Sequence, residues 1–270
     1  MLILLPPSET KRDGGAGAPL DLGALRFPSL APIRREVVEA VLALSEDHDA
    51  TLRALKLGPK QAGEVERNRA IPSSPTHPAL LRYTGVLYDA LDADSLTEAH
   101  WAYAAEHVAV QSALLGIVGA ADPIPAYRLS FDSRLSTERG VPSLKKRWAA
   151  AGAAALVQRP GLILDLRSEG YAALAPLPDR DGAHYVRVLA RDSGGHVRAL
   201  NHFNKQAKGL FTRALIEAGV VPATTDELLA WAADEGYELT PADDGTRDLN
   251  LVVPEVAGAP GRLMAVLRAS

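Results

Sequence analysis

The 270-residue chain contains no cysteine. Disulfides, thiolate metal sites, iron–sulfur clusters and a cysteine nucleophile are therefore excluded, and so is direct sensing of an oxidant by a thiol. Methionine is scarce too, with two residues, which leaves little basis for a sulfoxide switch. Long apolar runs are missing. The opening Met1-Leu2-Ile3-Leu4-Leu5 stops at Pro6-Pro7, lacks a basic flank and is too short for a signal peptide. No later run approaches the ~20 residues that span a bilayer. A soluble cytoplasmic protein with no membrane partner is expected. The seven histidines show neither a His-Glu-x-x-His nor a facial-triad spacing, so no metal is expected. There is no Gly-x-Ser-x-Gly elbow, and Gly14-Gly15-Ala16-Gly17 lacks the Lys-Ser/Thr of a phosphate loop. No cofactor is expected.

What is present is ordinary globular material: 47% hydrophobic and 23% charged residues, enough for a sizeable core. The net charge of −4 argues weakly against a nucleic-acid partner, but charge is unevenly spread. Between Glu138 and Asp165 there is no carboxylate, while Arg139, Lys145, Lys146, Arg147 and Arg159 are present. Between Asp192 and Glu217 there is again none, with Arg198, Lys205, Lys208 and Arg213. An acidic protein can thus carry a basic face, although composition by itself favours solvated helix faces as the explanation of such runs.

The patterning predicts strands at residues 1–5, 162–166 and 249–253, and a hairpin of 185–189 with 197–200 around Asp192-Ser193-Gly194-Gly195. It predicts helices over 34–45, 145–157 and 205–218. Capping boxes open two more, one at Ser95-Leu96-Thr97-Glu98 running to about Leu115 and one at Thr224-Thr225-Asp226-Glu227. Strands and helices are interspersed without regular alternation. The expected fold is a single α+β domain, residues 1–270, with a mixed β-sheet flanked by helices.

Residues 55–65, Leu55-Lys56-Leu57-Gly58-Pro59-Lys60-Gln61-Ala62-Gly63-Glu64-Val65, resemble the centre of a helix-hairpin-helix element at about 50–68. Gly58 would permit the turn, and Pro59 suits the first turn of the second helix. The amides at that helix start can face a DNA phosphate, with Lys56, Lys60 and Arg67 adding charge. Lys145, Lys146 and Arg147 would extend the contact. Such contacts do not read bases. The same residues also fit an ordinary corner in which Gly58-Pro59 ends one helix and starts the next.

Further blocks, in order, resemble the YaaA family of peroxide-stress-response proteins. The start through Pro7-Ser8-Glu9-Thr10-Lys11 resembles the family's opening strand and Ser-Pro-Ala-Lys-Thr loop, with Glu9 at the Lys position and Lys11 close by. Gly85 with Tyr88 resembles its Gly-Asp-Val-Tyr. Gly116 and residues 122–129, ending Pro125-Ala126-Tyr127-Arg128-Leu129, resemble its Leu-Tyr-Gly … Pro-Tyr-Arg-Leu block. Residues 166–171, with Ser168 and Tyr171, resemble its Leu-Ala-Ser-x-Glu-Tyr, Gly170 standing where Glu is usual. Asn204-Lys205-Gln206-Ala207-Lys208-Gly209 with Arg213 resembles its Lys-x-Ala-Arg-Gly-x-x-x-Arg, and Glu235-Gly236-Tyr237 its late Glu-Gly-Tyr.

The resemblance implies a single domain with a helix-hairpin-helix beside a positively charged cleft, binding to double-stranded DNA, and protection against hydrogen peroxide. It implies no defined reaction. Ser8, Lys11, Arg128, Ser168, Tyr171, Lys205, Lys208 and Arg213 are the candidate cleft residues. If they converge they form a site for a phosphate or nucleotide. A desolvated lysine there would be an amine nucleophile, the basis of an alternative glycosylase- or lyase-like enzyme. Internal ion pairs of Arg128 and Arg213 with Asp122, Glu169 or Glu235 are the competing explanation.

Overall fold

The structure is a computed structural model and describes residues 1–135, 142–191, 197–199 and 203–254. Arg139 and the Asp192–Gly195 turn lie outside the described residues.

In chain order the elements are β1 (Leu2–Leu5), α1 (Ala31–Ser45), α2 (His48–Ala54), α3 (Gly63–Arg69), β2 (His77–Pro78), α4 (Ala79–Arg82), α5 (Val86–Leu91), α6 (Glu98–His107), β3 (Val108–Ser112), β4 (Gly116–Gly119), β5 (Pro123–Ile124), α7 (Leu144–Val157), β6 (Ile163–Asp165), α8 (Glu169–Ala172), β7 (Ala183–Arg191), β8 (Val197–Ala199), α9 (Phe203–Ala218), α10 (Thr225–Asp234), β9 (Glu238–Pro241) and β10 (Leu249–Pro254). A mixed sheet of eight strands runs β4-β3-β1-β6-β7-β10-β9, with β8 beside β7. The expected mixed sheet flanked by helices is present. Its five central strands, β3-β1-β6-β7-β10, are all parallel, and the antiparallel pairings fall to β4, β8 and β9. β2 and β5 form a separate small pair.

Burial explains β1. Leu2, Ile3, Leu4 and Leu5 are all inaccessible, as a central parallel strand covered on both faces requires. Pro6-Pro7 follow, and proline cannot continue a ladder for want of an N–H. Helix α6 packs on β1 and β3, α9 on β7 and α5, and α7 on β4. Helix α7 is fixed by the Trp148 indole, fully buried and donating to the Ala113 carbonyl at 3.0 Å. Among the described residues, no helix is long and apolar enough to cross a membrane.

Two expectations change. The helix expected to run from 95 to 115 is really α6 followed by β3. Thr97 caps it by accepting from the His100 amide, while Ser95 closes a short 3-10 turn. Residues 108–112 form a fully buried strand. A short, mostly apolar segment such as Val108-Ala109-Val110 is compatible with a buried helix or strand, and only its neighbours β1 and β4 decide it.

The second change concerns residues 55–61. Two seven-residue helices, α2 and α3, do meet there at a turn. Yet the left-handed residue is Lys56, with φ 56°, and not Gly58, with φ −80°. The Leu57 amide reaches back to the Leu52 carbonyl at 2.8 Å, which closes α2 from Lys56. Gly58 is extended and starts a 3-10 turn, Pro59–Gln61, and its amide bonds the Gln61 side chain at 3.2 Å. Pro59 sits at the start of the turn, as its fixed φ favours.

Candidate functional site

A cavity of about 900 Å³ opens at the carboxyl ends of β1 and β6. Open parallel sheets commonly bind ligands at this end, because the chain leaves each strand there as a loop. Loop 6–10 beyond β1 supplies Ser8, Glu9 and Thr10; the turn beyond β6 supplies Ser168, Glu169, Gly170 and Tyr171. The amino-terminal part of α5 and the first turns of α9 complete the wall, with Tyr88, Asn204, Lys205 and Lys208. Gly85 turns the chain into α5 with φ 100°, a conformation that a side chain would strain, and its amide bonds the Asp89 carboxylate at 3.2 Å.

The charged groups fall into two kinds. Arg128 is tied to Glu9 at 2.8 Å, and Lys56 of the α2–α3 turn to Asp132. Lys205 and Lys208 are different. Lys205 is exposed on the cavity wall with no ion-pair partner among the described residues. Lys208 is 5% exposed and donates a long hydrogen bond to the Arg167 carbonyl at 3.4 Å. Burial pushes its ammonium down to about 8, against an opposing pull from the Asp165 carboxylate. Burial also raises the Tyr171 phenol to about 12, so it stays a neutral hydroxyl. Its ring meets Phe131 edge-on, with centroids 5.2 Å apart.

The structure thus brings Ser8, Ser168, Tyr171, Lys205 and Lys208 together on one cavity, with Arg128 held against Glu9 of its wall. Lys11 does not join them. It is buried behind the loop, its ammonium 4.1 Å from the Tyr127 ring centroid and donating to the carbonyls of Ser8 and Glu9. Arg213 does not join them either. It donates to the Leu91 and Asp92 carbonyls at 2.9 Å and pairs with Glu217 at 2.8 Å, tying α9 to the end of α5. The internal partners of Arg128 and Arg213 are therefore Glu9, Asp92 and Glu217, and not Asp122, Glu169 or Glu235. On the α2–α3 corner Arg67 is paired with Glu64 and Asp13, while Lys60 and Gly58 are exposed. At the start of α7, Lys145 and Lys146 are exposed and Arg147 lies 3.7 Å from Glu36.

Sequence reasoning missed Glu169, Tyr185 and the buried pair Asp165–Arg167 beneath the cavity. The pair had a readable signal. Two opposite charges two residues apart at the end of an apolar strand must be buried together or not at all. Tyr185 sits within a strand, where an aromatic is expected for packing alone.

The burial of Lys11 has a measurable consequence. Desolvation lowers its ammonium from 10.5 to about 7, and Arg128 adds to the effect. The folded state therefore binds fewer protons than the unfolded state between those values, and stability rises with pH across that window. Lys11→Met removes this contribution. Its unfolding free energy relative to the parent should be highest below pH 7 and decline as pH approaches 10. Parallel pH profiles for the two proteins would show that Lys11 stays charged where it is.

Residues 1–243 match the family model described as "Peroxide stress protein YaaA". A UPF0246 protein of Corynebacterium glutamicum (strain R) is 41% identical over 254 residues, covering 94% of this chain and all of the relative. The chain belongs to the YaaA/UPF0246 family. A UPF0246 protein of Corynebacterium efficiens is 43% identical with the same coverage. One from Streptomyces coelicolor is 38% identical over 265 residues, covering 95% of this chain and all of the relative.

Glu9 and Gly170, which the sequence sets apart from the expected family blocks, now have a physical setting. Glu9 forms the ion pair with Arg128 and accepts from the Ser130 hydroxyl at 3.4 Å. Gly170 lies under the Phe131 ring, where a β-carbon would overlap the ring edge. The YaaA match spans β1 to β9, whereas β10, the parallel partner of β7, lies beyond it.

Proposed function

We propose that this YaaA-family protein binds duplex DNA in the response to peroxide stress, gripping the phosphate backbone without reading base sequence. The observation that carries the reading is a set of uncommitted cations. Lys60 on the α2–α3 corner, Lys145 and Lys146 on α7, and Lys205 on the cavity wall are exposed, and none has an ion-pair partner among the described residues. Free ammonium groups suit a phosphate backbone, because each phosphate neutralised releases condensed counterions. A paired cation must first give up its carboxylate. In this reading the α2–α3 corner serves as a helix-hairpin-helix with Lys60 as its contact, and the cavity accepts a nucleotide or phosphate group of the bound DNA. The family description supplies the physiological setting.

Fluorescence anisotropy of a labelled duplex, titrated at several salt concentrations, tests this. Log K should fall with log salt by about 0.9 per phosphate contacted. Lys60→Glu should weaken binding equally on unrelated sequences and reduce the salt slope by about one. Binding indifferent to salt, or unaltered when Lys60, Lys145 and Lys146 are all changed to Glu, would sink the reading.

A further inference from the structure

Lys208 is a buried amine without a counter-ion among the described residues. Its ammonium meets no carboxylate at ion-pair distance among the described residues, and the Asp165 carboxylate nearby is committed to Arg167. Lysines this deep are normally paired, because an isolated buried charge is costly. Lys208 nonetheless lines the open cavity, 5.8 Å from the Tyr185 ring centroid. A lysine that shapes a core without a partner could be replaced by methionine at no loss. One that faces a cavity as a partly neutral amine can attack a carbonyl carbon.

The surroundings suit a phosphorylated sugar. Lys205, one turn earlier on α9, faces the same space as a cation with no ion-pair partner among the described residues, suited to a phosphate. The hydroxyls of Ser8, Thr84 and Ser168 line it as partners for sugar oxygens. Glu169 presents a carboxylate with no ion-pair partner among the described residues.

We infer that the Lys208 amine forms a Schiff base in this cavity with the aldehyde carbon of a phosphorylated sugar, of the kind exposed when an abasic sugar in DNA opens its ring. The choice of DNA as the source of that sugar rests on the DNA-binding reading; the amine chemistry does not. The lone pair on Nζ attacks the aldehyde carbon, and the proton that the nitrogen then sheds passes to the carbonyl oxygen, giving a neutral carbinolamine with a hydroxyl. A second proton lets that oxygen leave as water, giving an iminium. Glu169 then removes a proton from the adjacent carbon. The electron pair flows toward the iminium nitrogen and returns to expel the phosphate ester on the next carbon, breaking its C–O bond. Water hydrolyses the conjugated imine and restores the amine. No oxidant or reductant is required.

The full-length protein is incubated with cyanoborohydride and either an abasic-site duplex or free 2-deoxyribose 5-phosphate, and the adduct is mapped by peptide mass spectrometry. A reduced adduct on Lys208 is expected with both probes, with a yield that rises through about pH 8. Lys208→Arg should lose it with both. Lys205→Ala should still form it, at higher sugar-phosphate concentration. Glu169→Gln should keep the adduct on the abasic duplex and lose strand cleavage. An adduct at Lys208 with the free sugar phosphate, in a protein that does not bind duplex, supports the Schiff base and removes the DNA-binding reading alone. No adduct with either probe, or adducts scattered over surface lysines with Lys208 unmodified, overturns the inference. Should Lys208→Arg fail to fold, the map of the unaltered protein decides the matter by itself.

Discussion

Arg167→Met is expected to lower the unfolding free energy by roughly 3–5 kcal/mol, the usual cost of breaking a buried ion pair by removing one partner. Both Arg167 and Asp165 are fully buried. The guanidinium Nε donates to Asp165 Oδ1 at 2.7 Å, and the Arg167 backbone amide donates to the same oxygen at 3.0 Å. The remaining donors reach the Gln111 side chain on β3 at 2.9 Å and the Ala175 carbonyl at 2.8 Å. One side chain therefore clamps the end of β6 to β3 and to the chain leaving α8. Removing it strands a carboxylate in the interior and frees the turn that carries Ser168 and Tyr171.

The double variant Asp165→Leu/Arg167→Met separates charge from clamp. Apolar replacement of a whole buried pair is often neutral or better, so it should recover most of the loss. Equal destabilisation of single and double variants in urea would assign the loss to the Gln111 and Ala175 bonds. Parent-like stability of Arg167→Met would show that the pair is dispensable. Loss of ligand binding without loss of stability would place the role of Arg167 in the cavity alone.

Gly209→Ala is the second large effect, a loss of about 1–3 kcal/mol from overpacking. Helix propensity alone favours alanine by about 1 kcal/mol, so the sign depends on space. At Gly209 a β-carbon would overlap the Leu87 carbonyl oxygen and lie 2.9 Å from the Ala90 β-carbon. Helices α9 and α5 touch through this glycine, and both carry cavity residues: Tyr88 on one, Lys205 and Lys208 on the other. Displacing α9 should therefore also reduce the Lys208 adduct yield. Gly63→Ala is the matched control, since nothing lies within 4 Å of a β-carbon there, and it should be neutral or slightly stabilising. If both variants unfold at the same urea concentration as the parent, the α5–α9 contact yields freely.

Local signals carried far where the interaction was itself local. Thr224 accepts from the Glu227 amide at 3.2 Å and opens α10 as expected, while the Glu227 carboxylate returns to the Ala223 amide at 2.8 Å and not to that of Thr224. The Ala-rich 145–157 stretch is α7, and residues 205–218 fall within α9. These depend on hydrogen bonds spanning three or four residues, which a short window of sequence contains. The same reasoning failed at 108–112, where a short Val-Ala-Val-Gln-Ser segment reads alike as helix or strand. It also failed at the α2–α3 turn, where Lys56 took the left-handed position that glycine usually fills.

The cavity divides in the same way. That Lys205 and Lys208 share a helix face is arithmetic on a 3.6-residue repeat. The sequence also determined the apolar β1 strand, its arrest at Pro6-Pro7, the absence of thiol chemistry and the ordered blocks of the YaaA family. Tertiary structure alone decided that Ser8, Ser168 and Lys208 meet on one cavity while Lys11 and Arg213 turn away. It also decided that Lys56, Arg67 and Arg128 meet the distant carboxylates of Asp132, Asp13 and Glu9. Those partners lie up to 119 residues apart. The reason is physical: whether a cation is free, paired or desolvated depends on which distant carboxylates and apolar walls the parallel sheet brings beside it, and no local spacing encodes that.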